Sequence, residues 1–344
     1  MSFSIPILYY HRIGAPDPIH LSTPVELFER QMRFLAGRGV ETLPLSRLPG
    51  LLAAGKAPLR PAVVITFDDG FRDNLLHAAP VLKHYGFHAT VFQITSLIRP
   101  FDQPPVAAAR DFTAAHTAAR RGDYGDFLSR AELVELAASE MFEIHSHSHA
   151  HRQVFSAPVV KNFFPTEERH WGVLSCYEQP LSNDEWPVLE RTSGLVTRAW
   201  QPDCGAIAAF RQQHGSAWKT RFRELATGKL AAFFHEETPS AWKERVEKDL
   251  RLGEELTAAF HEPGKGVLCW PWGAQSPEGT RLARECGYAG AVLTSTGPNA
   301  PGTDPFLLKR FPVKKSSLAS FAVGYWARAH PGLARLYEKF HGWF

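Results

Sequence analysis

The chain has 344 residues, enough for one large domain with a full core or for two ordinary ones. Apolar residues make up 44% and charged residues 21%, which excludes a disordered chain. A net charge of +3 with histidine neutral gives no nucleic-acid footprint.

The four cysteines, Cys176, Cys204, Cys269 and Cys286, are widely spaced and form no CxxC pair. Neither a disulfide framework nor a cysteine zinc site is expected. The first twelve residues lack the basic, apolar and small-residue regions of a signal peptide, and no apolar run reaches about 18 residues. The expectation is a cytoplasmic protein.

In chain order, Ile5–Tyr10 is a short apolar and aromatic run and reads as a buried strand. Thr23-Pro-Val-Glu26 reads as a capping box. It opens a helix with Val25, Phe28, Met32 and Leu35 on one face, closed by Gly37 and Gly39. Ala62–Phe67 is a β-branched strand running into Asp68-Asp69-Gly70. A helix then runs to Tyr85, stopped by Gly86, and Ala89–Gln93 is the next strand. Ser129-Arg-Ala-Glu132 opens a further helix, followed by a strand at Phe142–Ile144. Val267–Trp270, Ala289–Leu293 and Leu307–Phe311 read as later strands, with a helix from Ser276 to Cys286 between the first two.

Strands alternating with helices imply βαβ units and a largely parallel sheet. About seven such units, with polar residues at strand exits, predict an α/β fold: a distorted (β/α)7-type barrel with a long insertion and a functional rim. An open doubly wound sheet is the competing architecture. Residues 1–151 and 236–315 are assigned to the barrel. Residues 152–235, rich in Trp, Pro, Asn and Glu and without clear periodicity, are read as an insertion forming a lid or small subdomain. Residues 316–344 are read as a C-terminal helical tail. Its aromatic and basic residues, from Tyr325 and Trp326 to Trp343 and Phe344, suit packing on its own domain or peripheral contact with a membrane surface.

Two adjacent carboxylates at a strand end are costly unless they are paired or bind a cation. Asp68 and Asp69 would face opposite ways in a regular strand. Gly70 permits a turn that brings both to one pocket, one to ligate a metal and one to serve as a base. A plain Asp-Asp-Gly turn is the simpler reading. Glu143-Ile-His-Ser-His-Ser-His-Ala-His151 holds four histidines. Two pairs are spaced four apart, His145 with His149 and His147 with His151, and on a helical turn either pair could grip one metal. Trp270-Pro-Trp-Gly273 ends another strand. It could stack on sugar rings or aim a backbone N–H at an oxyanion.

Together these motifs resemble the NodB-type polysaccharide deacetylases, the family four carbohydrate esterases. The resemblance rests on Thr66-Phe-Asp-Asp-Gly70, on the His147–His151 frame and on Trp270-Pro-Trp-Gly273 with Cys286-Gly-Tyr288. It covers residues 1–151 and 240–315. It implies that Asp69, His147 and His151 hold one divalent ion, zinc or a similar metal. It also implies that Asp68 is the general base and that the Trp272 N–H helps form an oxyanion hole. The frame makes His147 and His151 the ligands rather than His145 and His149.

Two departures stand out. Cys269 occupies the place where the third motif commonly starts with Arg. The late Leu-x-His motif that supplies the general acid is absent after residue 315. Leu8-Tyr-Tyr-His-Arg-Ile13 offers His11 instead, as in the circularly permuted branch acting on exopolysaccharide. The implied reaction is removal of N-acetyl groups from a sugar or polysaccharide precursor, with an N-acetylated glycan as partner and no nucleic acid. The alternatives are an amidohydrolase acting on a non-sugar amide, a carbohydrate-binding protein with an impaired site, and a metal-storage or sensing protein.

Overall fold

The structure, a computed structural model, describes residues 3–164, 171–177, 185–225, 227–313, 317–330 and 332–333. The chain divides into two compact units: Met1–Ala150 with Asp249–Gly273 and Thr280–Phe344, and His151–Lys248 with Ala274–Gly279.

The first unit is built on eight strands: β1 (Ile7–Tyr10), β2 (Glu41–Thr42), β3 (Ala62–Phe67), β4 (Ala89–Gln93), β5 (Phe142–Ser146), β6 (Val267–Cys269), β7 (Gly290–Val292) and β8 (Phe311–Pro312). Their order is β7-β6-β5-β4-β3-β1-β8, with β2 beside β3, and every pairing is parallel. Phe311 and Pro312 pair with Leu8 and Tyr9, while Leu308 bridges to Val292. One short segment thus links the two edges of the curled sheet, which is the distorted parallel barrel expected from the βαβ pattern.

The period of two along each strand sorts the core. Ala62 and Val64 join Ile5, Ile7, Val267, Cys269, Val292 and Leu308 in one cluster. Val63, Ile65 and Phe67 join Leu8, Tyr10, Ile144 and the helix residues Phe28, Met32 and Leu35 in another. The first cluster fills the barrel and the second seals it against its helices. The helices of the chain include α1 (Val25–Ala36), α2 (Leu48–Ala54), α3 (Ala79–Tyr85), α4 (Phe112–Ala119) and α5 (Arg130–Ala138). They continue with α6 (Pro239–Thr257), α7 (Pro277–Glu285) and α8 (Leu318–Ala329). No helix among the described residues is long and apolar enough to cross a membrane.

One local expectation needs correction. α1 has no capping box: Thr23 is engaged in a short parallel strand pair with Ile13, and the N-cap position falls to Pro24, which offers no side-chain acceptor. The expected box at Ser129 and Glu132 does form, with each side chain bonded to the other's backbone.

The second unit has its own order. A long strand, Gln153–Phe164, pairs antiparallel with Trp186–Ser193 through several register shifts. Phe155, Phe163, Tyr177, Leu189, Trp218 and Phe222 form a separate buried cluster. Bulges break the alternation of a strand, which is why this segment showed no clean period in the sequence. In the C-terminal tail, α8 packs Phe321 and Tyr325 on Phe34 of α1. Leu336, Tyr337, Phe340, Trp343 and Phe344 lie outside the described residues.

Candidate active site

The inward register of four strands converges at their carboxyl ends. Asp68 continues the inward series Ala62, Val64, Thr66 of β3. His11 follows Tyr9 and Ile7 of β1, His147 follows His145 and Glu143 of β5, and Cys269 follows Val267 of β6. Asp69 reaches the same region through a left-handed backbone, φ 71°, followed by Gly70 at φ 77°. A Cβ on Gly70 would stand 2.0 Å from Gln93 Oε1, so only glycine fits this close turn.

Asp68 and Asp69 are both buried. The ligand atoms of Asp69 and His147 lie within 4.8 Å of one another, and His151, four residues on, is the first residue of the second unit. The His147 Nε2 is 3.5 Å from Asp69 Oδ1. Its Nδ1 lies 3.0 Å from the Cys269 carbonyl, a bond that orients the opposite nitrogen toward the cluster. Burial pushes the His147 pKa down, against the raising effect of Asp68 and Asp69, and keeps the imidazole in the neutral form that binds metals.

The histidine pair is not helical, contrary to the i, i+4 argument. Ser148 and His151 take positive φ values of 64° and 48°. The loop between them is pinned by Asp249, whose carboxylate accepts from the N–H groups of His149 and Ala150. The Ser148 and His149 carbonyls accept from Thr95 and Ser96. His151 stacks on Trp171, ring centroids 5.4 Å apart. His149 bonds Thr95 Oγ1 through Nδ1. His145 sits one layer deeper, against Glu143, the Val267 N–H and the ring of His261.

A second ligand group, Asp68, His147 and Cys269, also lies within 4.8 Å, but its chemistry suits a metal poorly. Arg310 donates to both Asp68 oxygens, at 2.6 and 2.9 Å, and to Cys269 Sγ at 3.1 Å. Burial holds the Cys269 thiol well above its ordinary pKa. Asp69, His147 and His151 offer one carboxylate and two imidazoles, a donor set that suits a divalent ion.

Arg310 is the residue that the sequence reading missed. Cys269 brings no charge to the third motif, and Arg310 supplies one from the segment before β8. Its guanidinium lies over Tyr9 and Phe92. The signal was the register of the last strand: Arg310 is two residues beyond the inward Leu308. Burial alone would raise the Asp68 pKa, but the charges of Arg310 and His147 and the Arg310 hydrogen bonds outweigh it and hold the carboxyl below its ordinary value.

A second missed residue is His116 on α4. It is 2% exposed and ringed by Phe71, Phe112 and Phe127. Its Nε2 is 3.9 Å from Asp69 Oδ2, the oxygen opposite the one facing His147, and burial lowers its pKa.

His11 is half-buried between the rings of Tyr9 and Phe112. It opens on a cavity of about 520 Å³ that is also lined by Ile19, Leu21, Pro312 and Val313. The chain just after it is fixed by Arg12, which is buried, bonds Asp73 at 2.6 Å and covers Phe71. Trp272 has φ 62°, a strained value for a bulky aromatic residue. Gly273 follows at φ 67°, where an added Cβ would meet Thr294 Oγ1 at 1.8 Å.

A parallel barrel whose inward strand ends gather Asp68, Asp69 and His147 has the fold and motif order of the NodB-type deacetylases. Residues 55–171, about a third of the chain, match the family model described as polysaccharide deacetylase. YxkH of Bacillus subtilis, whose name places it among the polysaccharide deacetylases, is 41% identical over 90 residues; that match covers 26% of this chain and 32% of YxkH. A solved de-N-acetylase from Aggregatibacter actinomycetemcomitans superposes with a TM-score of 0.61 at 15% identity, covering 93% of this chain and 99% of that one. The BpsB deacetylase domain from Bordetella bronchiseptica follows with a TM-score of 0.55 at 18% identity, covering 90% and 96%. At these identities the solved structures establish the shared fold.

Proposed function

We propose that the protein is a metal-dependent hydrolase that removes N-acetyl groups from a sugar or polysaccharide precursor. The observation that carries this reading is the buried Asp68–Arg310 pair set beside the Asp69 and His147 ligand atoms. One carboxylate is held charged as a base, and its neighbour, facing His147, is a candidate cation ligand. The domain family and the names of its relatives support an acetylated carbohydrate as the substrate class.

Asp69, His147 and His151 would hold the ion, zinc or a similar metal. When bound, it supplies Lewis-acid polarisation of the substrate carbonyl and a water of lowered pKa. Asp68 takes the proton of the attacking water. Arg310 uses two of the carboxylate's roughly four lone-pair sites and leaves room for that proton. The Trp272 N–H donates to the oxyanion that forms as the amide carbon becomes tetrahedral, a contribution of about 2.7–4 kcal/mol per donor in other enzymes. The strained backbone of Trp272 supports this role, since strain of this kind is kept where geometry serves function. His11 gives a proton to the departing nitrogen, which is otherwise a very poor leaving group. The products are acetate and a glucosamine-type sugar.

The test is acetate release from N-acetylglucosamine oligomers, read together with metal content. Asp68→Asn is expected to keep its metal and lose most turnover, and His147→Ala to lose both. A fully active Asp68→Asn variant would make the base assignment wrong. Wild-type protein that takes up no divalent ion on reconstitution would rule out the mechanism.

A further inference from the structure

A groove of about 440 Å³ opens at the amino-terminal ends of β1 and β3, walled by Ile5, Leu59, Pro61 and Trp326 and edged by Arg38 and Arg60. Among the described residues, no carboxylate lines it. Leu59 is fully exposed, at 103%, on the turn Pro58-Leu-Arg-Pro61. On α8, Val323 is 70% and Trp326 47% exposed, and their three-residue spacing puts them on one helix face. Apolar side chains held out on a proline-flanked bend and a helix face mark a contact surface rather than a core. Arg38 lies over the Phe34 ring. Neither Arg38 nor Arg60 pairs with a carboxylate among the described residues.

We propose that this face docks on an anionic phospholipid surface. Leu59, Val323 and Trp326 enter the boundary between headgroups and acyl chains, and Arg38 and Arg60 meet the lipid phosphates. An apolar patch with an exposed tryptophan, a cationic rim and no acidic group has the composition of an interfacial membrane contact. The charge complementarity selects anionic lipid over a neutral surface. Asp68 stands six residues along β3 from Ala62, roughly 20 Å at about 3.3 Å per residue. The docked protein therefore turns its catalytic strand ends away from the bilayer, toward a glycan in solution.

The experiment is flotation of the full chain with phosphatidylcholine vesicles, with and without phosphatidylglycerol. Wild type is expected to float only with the anionic vesicles. Arg60→Glu removes one positive charge and adds one negative, each worth about fivefold near the surface, so it should weaken binding about 25-fold, and Leu59→Asp should weaken it at least about tenfold. Both residues are remote from Asp68, so acetate release from a soluble oligomer should be unchanged in both variants. Binding is read without turnover, so it fails or holds separately from the deacetylase reading. Wild type that ignores anionic vesicles overturns the proposal. So does a Trp343→Ser, Phe344→Ser variant that loses binding while Leu59→Asp keeps it, because the tail would then be the anchor.

Discussion

Arg310 clasps Asp68 through hydrogen bonds of 2.6 and 2.9 Å, and their side chains are only 1% and 4% exposed. Two charges this deep are stable only as a pair, and removing one leaves the other uncompensated. The pair keeps Asp68 ionised and aims it, so Arg310 is a positioning residue for the proposed base.

Arg310→Met should destabilise the fold by about 3–5 kcal/mol, the usual cost of breaking a buried pair. It should also change the pH profile in one direction. With Arg310 present, the Asp68 pKa lies below its ordinary value, so the base is charged at any pH above about 4. Without Arg310 the burial effect dominates and the pKa rises, so the acid limb of kcat/KM moves to higher pH. An acid limb that stays in place would show that Arg310 does not govern the base.

The His116 Nε2 faces the Asp69 oxygen that points away from His147. Outer partners of metal-binding carboxylates commonly contribute 10–100-fold in affinity. His116→Phe suits its aromatic surroundings and should weaken the metal by about that factor in a chelator competition. His116→Gln, which can place an amide N–H near the same point, should recover part of the loss. Equal affinity in both variants and wild type would limit His116 to packing.

Gly70→Ala tests the turn that follows the two carboxylates and brings both to one region. The new methyl would collide with Gln93 Oε1 and impose a left-handed φ on alanine. Strain of this kind costs about 1–3 kcal/mol, which denaturant unfolding should register along with a loss of turnover. A variant as stable as wild type would show that the turn relaxes freely.

Glu143 makes a pH-dependent contribution to stability at the foot of β5. Burial raises its pKa, but His145 and the Ser46 hydroxyl and N–H outweigh burial and bring it to about 2. A depressed carboxyl stabilises the fold above its unfolded pKa of about 4.3. That contribution fades as pH falls toward 2. Glu143→Gln should therefore cost up to about 3 kcal/mol at pH 7, with the gap to wild type closing below pH 4. A gap independent of pH would assign the effect to packing.

Strand and helix order was legible in the chain because burial on one face imposes a period of two or 3.6 wherever an element is regular. Ala62–Phe67 and Ala89–Gln93 stand as strands with the limits their composition implies. The second unit was opaque because its long strand carries bulges that break the period. Asp68, Asp69, His147 and His151 could be singled out because each lies within a few residues of a strand end or a glycine turn. The loop that turns His147 and His151 is not the helical turn that their spacing also allowed, since spacing alone cannot distinguish a helix from a loop with left-handed residues. The partners of Arg310, His116 and Asp249 were not legible for a different reason, although strand register alone turns Arg310 inward. Arg310 meets Asp68 across 242 positions in the chain, and no local pattern records a contact of that range. The sequence by itself determined which segments form strands and which short motifs could carry metal chemistry, because those follow from local geometry. Only the tertiary structure decided which charge stands beside Asp68, because closing the barrel brings the first, third and last strands to one point.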